Sequence, residues 1–156
     1  MTAEPRAVEI VRATREHLEA IIAMLADDAL GAGRESTAPD ARGDYERAFE
    51  AIGRNPWTTL YVALHEGRVV GTFQLTLVPG LSLRGATRAD IEAVRVEASM
   101  RGQGLGESMM RFAIAQAKAS GAGIVQLASN KTRTDAHRFY ERLGFARSHE
   151  GFKLKL

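Results

Sequence analysis

The stretch Arg101–Gly106, RGQGLG, sets three glycines and a fixed cation between a strand-like run ending at Val96 and a helix-like run starting near Gly104. The first amide N–H groups of a helix have no intrahelical acceptor, and the helix dipole adds positive potential, so such a start suits an anion. Gly102, Gly104 and Gly106 carry no Cβ, which lets a phosphate approach the backbone closely. Arg101 adds a permanent positive charge, while Gln103 and Leu105 fill the positions between the glycines. A mononucleotide P-loop is excluded, because Gly106 is followed by Glu107 and Ser108 without the required Lys. A dinucleotide fingerprint fails on spacing: Glu107 and Met109 stand where the third glycine belongs. A pyrophosphate cradle and a plain strand-to-helix connection both remain, and the glycine density favours the cradle. The chain has no cysteine, and His17, His65, His137 and His149 are scattered, so no metal set or thiol nucleophile is expected.

The surrounding pattern supplies the elements that would hold this loop. Val8–Ala13 alternates and is β-branched, as a strand is. Thr14 suits the cap of a following helix, in which Leu18, Ile21, Ile22 and Leu25 share one face. A polar loop and a second helix near 44–53 come next, stopped by Gly53 and Pro56. TTLYVAL and RVVGTFQLTL, joined through His65-Glu66-Gly67, form a hairpin pattern. Ala89–Val96 is a further strand, and GIVQLAS another after the glycine-loop helix. TDAHRFYERLG predicts a helix with Thr134 as N-cap and Gly144 just past its end, and FARSHEGFKLKL predicts one or two closing strands. This order argues for a single α/β domain over residues 1–156 with a mixed sheet.

Two blocks in this frame resemble the GNAT N-acetyltransferase superfamily. VRVEASMRGQGLGESMM is similar to its strand, [RQ]-x-x-G-x-[GA] loop and helix, with Arg101, Gly104 and Gly106 at the fixed positions. AHRFYERLGF, Ala136–Phe145, is similar to the family's A-x-x-F-Y-x-x-x-G-F ending. The resemblance implies a mostly antiparallel sheet splayed between its fourth and fifth strands, with helices on both faces. It implies acetyl-CoA as donor and direct attack by the primary amine of a small molecule, without a metal. The 101–106 loop would then hold the CoA pyrophosphate, and the backbone of Val94 and Val96 would pair with the pantetheine arm. Tyr140 matches the tyrosine that protonates the departing thiolate; a core aromatic is the competing reading.

Glu92 is the candidate base, placed by period-two counting on the same strand face as Val94 and Val96. Asp90 and Glu97 follow it in rank. Asn130 lies where the family often places an asparagine on the pantetheine arm, although Arg133 fills the commoner spacing and could meet a CoA phosphate. Turn chemistry would equally account for both residues. Arg34, Glu35, Thr72, Gln74, Trp57 and Tyr61 are the candidates for the acceptor side.

A formal net charge of +2 with interspersed signs, and no basic block, argues against a nucleic-acid binder. No apolar run is long enough to span a bilayer. The opening residues lack the apolar core of a signal peptide, and with the lack of cysteine this predicts a cytoplasmic protein. A non-catalytic acyl-CoA-binding domain of the same fold and a peptide acetyltransferase are the alternatives. GFKLKL could pair across a homodimer, or its lysines could protect a free edge.

Overall fold

The computed structural model describes residues 7–156. Residues 1–6, on which the expectation about the chain's start partly rests, lie outside the described residues. Five strands form one sheet in the order β1-β2-β3-β4-β5: Glu9–Arg12, Thr58–His65, Arg68–Val78, Arg88–Val96 and Ile124–Gln126. The first four run antiparallel to their neighbours, and β5 pairs parallel to β4. Glu66 and Gly67 make the β2–β3 turn with φ of 51° and 76°, the left-handed geometry a tight hairpin demands.

Helices α1 (Leu18–Ala26) and α2 (Arg42–Arg54) cover one face. Thr14 caps a short 3-10 turn leading into α1, and its amide donates to His17 Nδ1 at 3.0 Å. Helix α4 (Leu105–Ala119) covers the other face, reached after α3 (Ser82–Gly85), a single turn whose Leu83 and Arg84 are left-handed. Met109 and Met110 of α4 lie fully buried against Phe73 and Ile91. Burying a side chain such as Phe73 contributes about 1.5–3 kcal/mol. A Cβ on Gly71 would stand 2.5 Å from Met109 Sδ, so the bare backbone there is what lets α4 settle onto the sheet. The closing helix α5 (Thr134–Arg142) sends Phe139 and Tyr140 against the same core.

Three expectations are corrected. GIVQLAS contributes only Ile124–Gln126 to the sheet, because it pairs with β4 only at Arg88–Asp90. Residues 146–156 carry no helix or strand; the alternation of FKLKL meets no partner strand among the described residues, and Phe152, Leu154 and Leu156 are exposed. The N-cap of α5 is Arg133, with Thr134 already helical.

Candidate active site

Beyond Asp90 and Gln126, β4 and β5 separate. A bulge at the same height begins the site. Gln74 pairs with Glu92 and Thr72 with Arg95, so β4 carries one residue more than β3 across this interval. Ala93 absorbs it with φ 53°, a conformation costly for any residue with a Cβ. The extra residue reverses the alternation. Ala89 and Ile91 face the α4 core before it, and Val94 and Val96 face that core after it. Glu92 therefore lies on the opposite face from Val94 and Val96, beside its partner Gln74, and is exposed. Period-two counting across an unrecognised bulge gave the wrong face.

Val94 and Val96 direct their backbone groups to the edge that β5 leaves open. The Val94 carbonyl accepts from Arg95 Nη1 at 2.9 Å and the Val96 carbonyl from Arg101 Nε at 3.1 Å. Arg101 also reaches the Asp27 carbonyl at 3.4 Å. Its guanidinium fastens the loop to α1 rather than standing free. Gln103 Nε2 donates to the Ser99 carbonyl at 2.8 Å, closing the loop on itself. Glu97 accepts from Arg68 and Ser99, which hold its carboxyl below the usual carboxylate range, so it serves as a staple between β3 and the loop.

Gly102 and Gly104 have φ of 73° and 82°, and a Cβ on either would meet open space. Gly104 is the N-cap of α4, and among the described residues the amides of Leu105, Gly106 and Glu107 find no acceptor. The loop opens on a cleft of about 350 Å³ between Val96, Gly106 and Phe139. Open backbone, orphan amides and a cleft beside them fit a pyrophosphate.

Tyr140 is half-buried, edge-on to Phe139 and Phe145 at 5.2 and 6.0 Å. Its hydroxyl makes no hydrogen bond among the described residues. Burial raises its pKa above the ordinary phenol value, with Arg133 and Arg95 opposing. It is therefore protonated at neutral pH. Asn130 is engaged in turn chemistry: its Oδ1 accepts from the Thr132 amide at 3.0 Å and the Thr132 hydroxyl at 2.8 Å. Its carbonyl accepts from the Arg133 amide at 3.0 Å and lies 2.8 Å from His137 Nε2. Asp90 Oδ1 is buried without a hydrogen-bond partner.

On the other face, α1 and α2 enclose with the sheet an apolar cavity of about 130 Å³ reaching Thr72, Gln74, Ala93 and Tyr45. Thr72 is almost wholly buried and donates to the Tyr61 carbonyl at 2.8 Å. Glu35 accepts from the Tyr45 hydroxyl at 2.6 Å and lies 3.7 Å from Arg34. That hydrogen bond is the main cause raising the Tyr45 pKa. Tyr61 does not belong here. It stacks on Phe73 at 5.0 Å on the α4 side, and Trp57 is half-exposed outside the cavity.

Sequence reasoning missed Tyr45, Arg95 and Asp28. Arg95 Nη2 lies 3.2 Å from Asp28 Oδ2, and both side chains are largely buried. Burial lowers the Arg95 pKa, against the attraction of Asp28. An arginine inside a strand otherwise rich in small and branched residues was the available signal.

Residues 18–145 match the model of the Acetyltransferase (GNAT) family, and the chain belongs to that family. Acetyl-CoA is the donor typical of GNAT enzymes. Over 112 residues the chain is 36% identical to the aminoalkylphosphonate N-acetyltransferase of Salmonella typhimurium, spanning 70% of this chain and 72% of that protein. A transcriptional regulator from Bacillus halodurans is 43% identical, with a TM-score of 0.93, over 96% of this chain and 100% of that one. An acetyltransferase of Clostridium acetobutylicum, solved with acetyl-CoA, is 16% identical with a TM-score of 0.75, over 96% of each chain, and shares the fold. No helix among the described residues is long and apolar enough to cross a membrane, and none of their His, Asp or Glu side chains group as a metal site.

Proposed function

We propose that this GNAT acetyltransferase moves an acetyl group from acetyl-CoA to the primary amine of a small molecule, in the cytoplasm and without a metal. The observation that carries this reading is the splay of β4 from β5, set between an anion-binding helix start on one side and a closed apolar cavity on the other. The name of the Salmonella relative supports a small-molecule amine.

In this reading the amides of Leu105, Gly106 and Glu107 hold the pyrophosphate, with Gly102 and Gly104 giving it room. The open edge of Val94 and Val96 aligns the pantetheine arm as an added strand would, and their carbonyls exchange arginine donors for it. A backbone N–H near Val96 faces the oxygen on which charge develops. The amine nitrogen attacks the thioester carbonyl, the C–N bond forms and the C–S bond breaks. Tyr140 gives its proton to the leaving sulfur. The proton lost by the amine passes through water to Glu92, which lies on the acceptor face beside Gln74.

The test is thiol release from acetyl-CoA across an amine library, with calorimetry for donor binding. Acceleration by one class of small amine is expected. The absence of both acceleration and binding refutes the reading. The name of the Bacillus halodurans relative favours a second reading, an acyl-CoA-responsive module without turnover. Donor affinity with no acetylation of any amine or peptide selects it.

A further inference from the structure

The bulge at Ala93 sets Arg95 on the face of Thr72, its pairing partner, and of α1. That is the face of the acceptor cavity, and an arginine there has only 11% of its side chain exposed. A guanidinium offers five donors. Nη1 is spent on the Val94 carbonyl and Nη2 faces Asp28 at 3.2 Å, while Nε is buried without a partner. Arg133 and Arg34 are close enough to act on the Arg95 charge, as is Tyr140. Arg34 has Glu35 beside it, and Arg133 has no carboxylate within ion-pair distance among the described residues. Three guanidinium groups therefore stand against the carboxylates of Asp28 and Glu35, leaving a net positive pocket next to the reacting tyrosine. Burying a cation with an unmet donor is costly unless an anion arrives to answer it.

We propose that the acceptor carries an oxyanion, a phosphonate, phosphate or carboxylate a short chain away from its amine, and that Arg95, flanked by Arg133 and Arg34, holds that group. Asp28 fixes the plane of the Arg95 fork and leaves its remaining edge for the ligand. The inference rests on the amine-acceptor reading and names the class of amine.

The experiment compares 2-aminoethylphosphonate and 3-aminopropanoate with propylamine and ethanolamine, in wild type, Arg95→Met and Arg95→Lys. The expected result is a kcat/KM about 100-fold higher for the anionic amines, equivalent to two or three charge-assisted hydrogen bonds. Arg95→Met removes that preference through KM and leaves propylamine unchanged; Arg95→Lys restores part of it, since charge returns without the fork. Methylphosphonate inhibits competitively against the amine and not against acetyl-CoA. Wild type accepting neutral and anionic amines within three-fold overturns the proposal. So does an equal loss of both in Arg95→Met, or methylphosphonate competing with acetyl-CoA. If no amine is acetylated, the acceptor reading itself falls. Thermal protection by methylphosphonate then still decides the oxyanion site: protection that Arg95→Met abolishes upholds it, and no protection of wild type overturns it.

Discussion

Replacing Tyr140 with Phe separates chemistry from packing, because the phenol hydroxyl donates to nothing among the described residues. Removing it leaves no partner stranded, and the ring keeps its edge-on contacts with Phe139 and Phe145. The cost in folding stability is therefore expected within about 0.5 kcal/mol, which is a melting shift of roughly 2 °C for a chain this size. Loss of a positioned general acid is a different quantity, about 100-fold in kcat, or ~2.7 kcal/mol of transition-state stabilisation. Donor KM is expected within three-fold.

The pH behaviour follows from the raised pKa. The folded chain holds the Tyr140 proton above pH 10, where the unfolded chain has lost it, so wild type loses stability as pH rises through that region. The Phe variant lacks this loss. The assay is initial-rate thiol release from pH 7 to 10, with thermal melts from pH 7 to 11 on the same samples. A kcat within two-fold of wild type refutes the acid role. A melting drop beyond about 6 °C refutes the premise that the hydroxyl is unbonded.

Gly31→Ala brings a Cβ to 2.0 Å from the Leu25 carbonyl oxygen, a backbone atom that cannot step aside. It is expected to cost about 3 kcal/mol in chemical denaturation and to raise acceptor KM while donor affinity holds. Ala93→Gly relieves the positive φ of the bulge and is expected to raise stability by about 0.5–1 kcal/mol, read in a urea titration. Gly106→Ala places its Cβ at ordinary contact distance, 3.6 Å from Phe139, and leaves donor affinity within three-fold by calorimetry. Gly106→Glu puts a carboxylate where the pyrophosphate belongs and abolishes measurable binding.

The loop and helix around Gly104 were legible because glycine spacing and helix-start chemistry are local. The hairpin was legible for the same reason: His65-Glu66-Gly67 encodes its own turn. The bulge was not, since ADIEAVRV alternates without a break and Ala93 is no glycine to announce a positive φ. With it went the face of Glu92 and the meaning of Arg95. The partnership of Arg95 with Asp28 spans two elements far apart in the chain, and no local pattern carries it. The ending misled in the opposite way. FKLKL has the alternation of a strand, but a strand is made by its neighbour, and β5 offers three residues of edge. Tyr61 was misplaced because closeness in sequence does not fix the side of a sheet; the residue before it, Leu60, faces the cavity instead.

The single extra residue at Ala93 acts on β4 as an inserted letter acts on a reading frame. Everything after it is read in the other phase, so the same strand presents core residues to α4 at both ends while exchanging which side chains reach the acceptor. A deletion there would turn Arg95 into the apolar core and Val94 toward the cavity in one step, without changing any side chain's identity. Variants of this enzyme are thus free to change residue type along the acceptor face, but not the number of residues between Gln74's partner Glu92 and Thr72's partner Arg95.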